Sequence, residues 1–291
     1  GWKLASAVSN SGGLGIIGAG SMHPDVLKEH ILKCKKATSK PFGVNVPLIY
    51  PEMDKIIKIL IDQKIRVVIT SAGNPNTWTA KLKTSGSIVM HVVSSVKFAI
   101  KAEKSGVDAI VAEGFEAGGH NGREETTTMV LVPLIKKVIK LPLIAAGGIA
   151  SGASMLAAMS LGADGVQIGS RFVASHEASS HINFKNAIIS AEQGSTILTL
   201  KDLTPVRMMK NKFYEEISDL YSTGASSQKI SNHLGKGRAK IGMFEGDLDR
   251  GELEIGQVSS QINEIKYAKE IIDEIIDEYD QILNILSQQR I

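Results

Sequence analysis

Short runs of apolar, β-branched residues recur along the first part of the chain, and stretches of helical spacing separate them. These runs predict seven strands, at residues 14–18, 42–47, 66–71, 88–93, 109–113, 142–146 and 165–169. Runs such as VVIT (67–70) and LIAA (143–146) are apolar throughout, which is typical of parallel strands covered on both faces. The pattern predicts an α/β fold with a parallel sheet and right-handed crossovers.

The segments between the predicted strands have the spacing of helices, for example at residues 51–63, 95–105, 131–139 and 152–161. A closed TIM (β/α)8 barrel has eight strands, whereas we count seven. The chain also opens with a predicted helix at 3–10 that no strand precedes, and its first residue is Gly1 rather than methionine. We interpret the fold as a TIM barrel whose first strand is missing from the given sequence. A doubly wound open sheet is the alternative.

The pattern changes after Phe172, where β-branched runs become rare. We predict helices across 183–231, a glycine-punctuated stretch at 235–256 and a long amphipathic helix at 262–287. The predicted organisation is a barrel at 1–180, a mainly helical cap at 181–257, and a C-terminal segment at 258–291 whose helix returns to the barrel.

The amino-acid composition limits the classes of function that the sequence indicates. The 291 residues are 43% hydrophobic and 22% charged, and the net charge of +3, without a basic aromatic stretch, does not indicate nucleic-acid binding. Cys34 is the only cysteine, which excludes an internal disulfide and a cysteine-rich metal site and favours a reducing cytoplasm. No apolar run is long enough to predict a membrane span, no signal peptide is evident, and the scattered histidines predict no metal site.

The stretch VAEGFEAGGHNGREETTTM (111–129) contains the clearest candidate for chemistry. A predicted strand runs into a glycine-rich turn that presents His120, and glycines allow a ligand to approach the backbone closely. An imidazole held at the end of a strand is well placed for proton transfer near neutral pH. A glycine turn with a surface histidine is the alternative interpretation.

Two later strand ends have the features of a phosphate site. AAGGI (145–149) leads into a helix and QIGSR (167–171) ends the last predicted strand, and these would be strands 7 and 8 of the barrel. Main-chain N–H groups in such loops, together with a helix N-terminus, can bind a phosphate. The candidate residues are Gly147, Gly148, Gly169 and Ser170. Two tight turns without a ligand are the alternative.

The sequence GLGIIG at 13–18 matches GxGxxG but does not indicate a dinucleotide site. That fingerprint requires a strand before the glycines and a helix after them. Here a predicted helix precedes the glycines, which lie within a predicted strand, so we interpret them as a helix end and a closely packed barrel strand.

Polar side chains lie at or near the ends of other predicted strands, at the same end of the sheet: Asn45, Ser71, His91 and Glu113. An amide, a hydroxyl and a carboxylate on successive strands suit a heterocycle with amide-like edges better than a small sugar phosphate. Each residue taken singly is equally compatible with a polar group that is satisfied within the protein.

Several motifs resemble those of one superfamily, which contains the nitronate monooxygenases and the FMN-dependent enoyl-acyl carrier protein reductases of the FabK type. They are FGVN (42–45), SAGNP (71–75), EGFEAGGHNG (113–122), AAGGI (145–149), QIGSRF (167–172) and EGDLDRGELEIGQ (245–257). The resemblance covers nearly the whole chain. GREETTTM, after His120, resembles the reductase branch more than the monooxygenases.

The resemblance implies a TIM barrel that binds FMN at its C-terminal mouth, with His120 beside the isoalloxazine as the catalytic residue. The residues expected to bind the cofactor are Asn45, Ser71, His91, Glu113, Gly118, Gly147, Gly148, Gln167, Gly169 and Ser170. One departure is that the family's first strand carries a Gly-Gly-Met turn that touches the flavin, and this chain starts after that turn.

Enoyl-thioester reduction in fatty acid synthesis is the function that we favour. NADH or NADPH would reduce FMN, and His120 would orient or protonate the enolate. The partner would be an acidic acyl carrier protein, and a homodimer is also considered. The candidate docking rim consists of Lys210, Lys212, Lys236, Arg238 and Lys240, although a solvated charge run is the alternative.

Two other functions stay open at this point. In nitronate oxidation, His120 would act as a base toward a nitroalkane or nitronate, and O₂ would reoxidise the flavin. In the third, the barrel would bind a phosphate ligand without redox chemistry. Nucleotide dehydrogenases with similar glycine loops need a cysteine near the phosphate loop, whereas Cys34 is predicted to lie far from it.

Overall fold

The computed structural model describes residues 1–20 and 22–289. Within these ranges the chain forms two sheets and twelve α-helices. The large sheet contains β1 (Gly15–Gly18), β2 (Phe42–Pro47), β3 (Val67–Ser71), β4 (Ile88–Val93), β5 (Ala109–Glu113), β7 (Leu143–Ala146) and β8 (Gly165–Gln167). The small sheet contains β6 (Gly119–His120), β9 (Thr196–Thr199) and β10 (Val206–Met209). The last two residues of the predicted segment 258–291 lie outside the described residues.

The helices alternate with the strands as far as β8 and then predominate. They are α1 (Trp2–Asn10), α2 (Pro24–Ala37), α3 (Met53–Asp62), α4 (Thr79–Thr84), α5 (Val96–Lys104), α6 (Thr128–Lys136), α7 (Gly152–Ser160), α8 (Ser170–Val173), α9 (Ile182–Ile189), α10 (Lys212–Ser222), α11 (Ser227–Leu234) and α12 (Ala268–Gln288). Among the described residues, no helix is both long and apolar enough to cross a membrane.

The strands of the large sheet pair in chain order, β1-β2-β3-β4-β5-β7-β8, and every pair is parallel. A doubly wound sheet reverses its strand order at a switch point, so the unbroken order excludes that alternative. Ile16 of β1, Met90 of β4 and Ile144 of β7 belong to one inner cluster, which is separate from the core between the strands and the helices. The sheet therefore curls around an interior, as the TIM barrel interpretation predicted.

The edges of the curled sheet are β1 and β8, and within the described residues no strand pairs with their outer sides. A space of about 410 Å³ lies between them. Its walls are largely apolar and include Leu4, Val8, Ile168, Ile272 and Ile275. The chain thus forms seven strands of the barrel, and the space lies where an eighth strand would close it.

Most predicted elements are confirmed within two residues. β2, β4 and β5 have the predicted bounds, and β8 ends two residues early because Gly169 already precedes α8. Helix α6 begins three residues earlier than predicted. The Glu116 carboxylate accepts hydrogen bonds from the backbone N–H and the hydroxyl of Thr128, which satisfies donors at the first turn of that helix.

The prediction that 183–231 is helical throughout is wrong. β9 and β10 form an antiparallel pair inside this range, and β10 also pairs with β6, Val206 lying opposite His120. Two four-residue strands carry too little local signal to be recognised, and the third strand comes from a loop much earlier in the chain. Through this pairing β10 holds the backbone of His120, and β9 extends the same small sheet.

Residues after 180 add two apolar clusters of their own. Phe184, Ile188 and Leu253 belong to one, and Phe213 and Ile230 belong to the other. Helix α12 packs against α7 and α1 of the barrel, burying Ile271 and Ile275, which agrees with the predicted return of the C-terminal helix. The limits 1–180, 181–257 and 258–291 stay a prediction.

We predict that Gly15→Ala destabilises the barrel, because a Cβ on Gly15 would lie 1.8 Å from the carbonyl oxygen of Ala5 in α1. Helix and strand would have to separate, at a cost of about 1–3 kcal/mol in the free energy of unfolding. Gly18→Ala, in the same strand, is the matched control because no atom lies within 4 Å of its Cβ position. Urea unfolding of both variants measures the difference, and equal losses would contradict the packing argument.

Candidate functional site

A cavity of about 630 Å³ opens at the carboxyl ends of the barrel strands. This volume is in the range of small-molecule sites. Predicted site residues from six different segments line it: Asn45, Ser71, His91, Glu113, His120 and Gln167. The structure therefore brings these six side chains into one cavity, five of them at the ends of barrel strands, where TIM barrels place their active sites.

Two polar groups in this cavity have no partner among the described residues. The side-chain oxygen Oδ1 of Asn45 is buried without a hydrogen bond. The Glu113 carboxyl forms no hydrogen bond or ion pair within the described ranges, and burial raises its pKa to about 7. Buried polar groups are almost always hydrogen-bonded, so unpartnered ones in a cavity indicate a ligand with complementary groups. An amide-edged heterocycle such as a flavin fits this requirement.

His91 is the most enclosed of these side chains. It is only 4% exposed, and its Nδ1 lies 2.7 Å from the Thr70 hydroxyl. Burial, reinforced by the positive charge of Lys101, lowers the pKa of His91 to about 4. The imidazole is therefore neutral at physiological pH and forms part of the cavity floor.

His120 is exposed on the cavity wall, where the small sheet holds its backbone. The Asn121 side chain donates to the carbonyls of Ala117 and Gly119 and so closes the turn around it. Arg123 donates to the carbonyls of Lys201 and Leu203 and ties the same loop to the cap. His120 is thus held from both sides while its imidazole faces the cavity.

The two glycine loops lie outside the lining of this cavity. Gly147 and Gly148 follow β7 with φ of +90° and +71°, which favours glycine, and Ser151 then caps α7. Gly148 lines a second, polar cleft of about 340 Å³ together with Glu116. A Cβ on Gly169 would meet no atom within 4 Å, so open space adjoins that loop. This space is compatible with a phosphate, and phosphate binding there stays a prediction.

Residues 251–257, which we name the return segment, cross over these loops. The Leu253 carbonyl accepts a hydrogen bond from the backbone N–H of Met209, and the Ser170 hydroxyl accepts one from that of Gly256. A Cβ on Gly118 would lie 2.4 Å from the carbonyl carbon of Ile255. Gly118 and Ser170 therefore pack against the return segment in this structure, and their predicted contact with a cofactor remains untested.

Several residues of the cavity escaped the sequence analysis. They are Tyr50, Phe98, Lys101 and Arg123, which line the rim and walls. Lys101 lies on α5, where it has the sequence signature of an ordinary exposed helix lysine. No local pattern separates it from Lys97 or Lys104 on the same helix, so only the tertiary structure could identify it.

Two of the five residues of the candidate docking rim already form contacts within the protein. Arg238 donates to the carbonyls of Leu234, Arg250 and His233 and lies over the ring of Phe213, so its role is structural. Lys240 forms an ion pair with Glu245. Within the described residues, no group of three or more His, Cys, Asp or Glu side chains could hold a metal ion.

Comparison with known proteins agrees with this geometry. A family model described as nitronate monooxygenase matches residues 1–56 and 50–278. A probable nitronate monooxygenase of Staphylococcus aureus strain MRSA252 is 32% identical over 97% of this chain and 91% of its own length. FabK from Thermotoga maritima superposes with a TM-score of 0.94 at 41% identity, covering 98% of this chain and 91% of that one. Nitroalkane oxidase from Streptomyces ansochromogenes, with a TM-score of 0.85 at 24% identity over 98% of this chain and 93% of that one, shares the fold.

We predict that Glu113→Gln stabilises the ligand-free protein increasingly as the pH rises. The pKa of Glu113 is raised from 4.5 to about 7 in the folded state, so its favourable contribution is complete below about pH 4.5 and is lost as the pH rises through about 7. The free energy of unfolding of the glutamine variant, relative to that of the unmodified protein, should therefore grow by about 2 kcal/mol between about pH 5 and pH 8. Water in the cavity screens the carboxylate and keeps this value below that of a fully dry site. Urea unfolding across this range measures it, and a constant difference would contradict the assigned burial.

Proposed function

Since the chain belongs to the nitronate monooxygenase family and is a flavin-dependent oxidoreductase, we propose that it binds FMN and reduces enoyl thioesters with NADH or NADPH. The observation that carries the proposal is the likeness to FabK, at 41% identity over nearly the full chain. The cavity supports it, because its polar side chains could form hydrogen bonds with a flavin ring. The physiological substrate would be an enoyl group on an acyl carrier protein.

The residues of the cavity suit the proposed cofactor. Asn45, Ser71 and Gln167 present amide and hydroxyl groups at the ends of separate strands, and these would hold the polar edges of the flavin ring. With its pKa raised to about 7, the Glu113 carboxyl is partly protonated near neutral pH, and in that form it can donate a hydrogen bond to a ring acceptor. The loops at Gly147–Gly148 and Gly169–Ser170 would bind the phosphate through main-chain N–H groups.

His120 is the proposed catalytic residue because its imidazole is exposed to the same cavity as the cofactor groups. FMN, when bound, supplies the redox chemistry by accepting hydride from NAD(P)H and passing it to the substrate. His120 orients the thioester carbonyl and protonates the carbon next to it, and general acid catalysis of this kind contributes about 10²–10⁴-fold. Tyr50 and Phe98 line the same cavity and would limit the access of water to a bound substrate.

Nitronate oxidation is the second candidate, because the matching family model and the curated relative are both named for it. In that reaction His120 would remove the proton next to the nitro group of a nitroalkane, and O₂ would be the oxidant. The same cavity serves either chemistry, so the electron donor distinguishes the two functions. A barrel that binds a phosphate ligand without redox work is not supported by the family assignment.

Anaerobic mixing tests the proposal. The protein is loaded with FMN and mixed in separate experiments with NADH, NADPH and propane-2-nitronate, and the visible flavin absorbance is followed. We expect rapid bleaching by one of the nicotinamide nucleotides and recovery of the colour on addition of crotonyl-coenzyme A. Bleaching by the nitronate alone would identify the second candidate as correct. Protein that stays colourless after FMN addition and gel filtration would contradict the cofactor assignment itself.

We predict that Gly169→Ala weakens binding of FMN without weakening the fold. The backbone φ at Gly169 is −106°, which alanine tolerates, and its Cβ would enter only the open space proposed for the phosphate. Alanine keeps the main-chain N–H, but its Cβ would displace the phosphate and weaken about one charge-assisted hydrogen bond. The Kd for FMN should therefore rise about tenfold, and that for riboflavin, which lacks the phosphate, should not change. Gly165→Ala, at the other end of β8 and also in open space, is the matched control. An equal effect on riboflavin would contradict the phosphate assignment.

A further inference from the structure

A single residue of β10 contacts the loop that carries His120 at two places. We name residues 114–122, which follow β5, the histidine loop. The backbones of Arg207 and Val206 pair with the far end of this loop, Val206 lying opposite His120. The side chain of Arg207 reaches the near end, where its Nε donates a hydrogen bond of 2.9 Å to the carbonyl of Phe115. Arg207 therefore joins the two ends of the histidine loop.

The guanidinium of Arg207 is enclosed, and it contacts the histidine loop rather than an acidic side chain. Arg207 is only 2% exposed. Its guanidinium carbon lies 4.8 Å from the centre of the Phe115 ring, and its Nη1 donates to the hydroxyl of Thr196 on β9. In the part of the chain that the structure describes, no carboxylate forms an ion pair with it, and Glu116 and Glu125 act on its charge only from farther away. Since burying a cation without an acidic partner is costly, the hydrogen bonds and the aromatic contact compensate for its burial.

The position of the His120 ring depends on the backbone that carries it. The imidazole is exposed on the cavity wall and forms no hydrogen bond with any residue that the structure describes. Between the two contacts of Arg207 the loop contains Gly118 and Gly119, and glycine leaves a backbone conformationally free. Fixing both ends of such a loop therefore fixes where the ring stands on the cavity wall.

We propose that Arg207 is a positioning residue for His120, which it places on the cavity wall by joining both ends of the histidine loop. This inference rests on the proposed function of His120 as the group that transfers a proton at this site. Arg207 itself does not line the cavity, so it acts only through the loop. A displacement of about 1 Å can slow a reaction about 10²-fold, so a loosened loop would slow proton transfer although the imidazole is still present.

The cap provides a matched control for the loss of a buried guanidinium. The guanidinium carbon of Arg238 lies 4.8 Å from the centre of the Phe213 ring, the same distance as between Arg207 and its own aromatic partner. Arg238 also donates to backbone carbonyls, which belong to residues 233, 234 and 250, outside both the histidine loop and the cavity lining. Methionine at either position removes the charge and the donors but keeps a long apolar side chain.

The first test observes the His120 ring directly. Protein with ¹³C-labelled histidine is studied by NMR before and after addition of FMN, and the His120 signal is assigned through the variant His120→Gln. Arg207→Met should shift or broaden this signal, because the loop then adopts several positions, and Arg238→Met should leave it unchanged. A His120 signal in Arg207→Met identical to that of the unmodified protein would overturn the proposal. The measurement requires neither turnover nor a bound flavin, so it is independent of the proposed function.

The half-reactions then separate positioning from a general loss of structure. Bleaching of the flavin by NADPH needs no proton from His120, so its rate in Arg207→Met should stay within about twofold of the unmodified rate. Recovery of the colour with crotonyl-coenzyme A needs that proton and should slow about tenfold. Arg207→Lys can still donate to the Phe115 carbonyl and should restore part of this loss. Equal losses in both half-reactions would contradict positioning.

Arg238→Met should leave both rates unchanged, because crotonyl-coenzyme A contains no carrier protein and the candidate docking rim has no part in the assay. A recovery rate lowered equally in Arg207→Met and Arg238→Met would overturn the proposal. If propane-2-nitronate alone bleaches the flavin, enoyl reduction has failed as the function, but positioning can still be tested with a nitroalkane. His120 would then remove the substrate proton during bleaching by 2-nitropropane, and that step should slow about tenfold in Arg207→Met only.

Discussion

Parallel hydrogen bonding between strands taken in chain order places the carboxyl end of every barrel strand at the same rim, and the active-site cavity depends on this arrangement. Asn45, Ser71, Glu113 and Gln167 are scattered over more than a hundred residues, yet each lies at the carboxyl end of a strand of one curled sheet or within two residues of it. The apolar interior below them, which includes Ile69 and Val111, keeps water out of the barrel. The strands form a rigid scaffold, and the polar residues at their carboxyl ends are the ones available to contact a ligand.

Close approach of backbones is the second requirement of the site. The return segment passes so near the loop after β5 that a Cβ on Gly118 would overlap with Ile255. In addition, the backbone N–H of Gly256 donates a hydrogen bond to the Ser170 hydroxyl. Gly118 and Gly256 thus have a different function from Gly147 and Gly148 of the AAGGI loop. The former allow two chain segments to touch, whereas the latter adopt positive φ at the end of a strand. Similar sequence signals have different physical causes here.

The electrostatic character of the cavity follows from its enclosure. Removal from water favours the neutral forms of Glu113 and His91, because burial raises the pKa of Glu113 to about 7 and lowers that of His91 to about 4. His91 is therefore neutral near neutral pH, and Glu113 is only partly ionised. Together with the unsatisfied side-chain oxygen of Asn45, these groups suit a flat, neutral heterocycle better than an anion. His120 is instead exposed to solvent at the cavity wall.

The local sequence pattern was sufficient to predict the barrel strands, to reject the GxGxxG site and to identify five of the six predicted residues in the cavity, because apolar periodicity and strand ends are properties of short segments. The sixth, Gln167, was expected only from the family resemblance. It failed for β9 and β10, whose pairing partner β6 lies in a loop much earlier in the chain. It also failed for Lys101, which resembles an ordinary surface charge until the fold brings it to the cavity that His91 lines. Contacts between distant segments depend on which surfaces the folded chain brings together, and no local pattern encodes them.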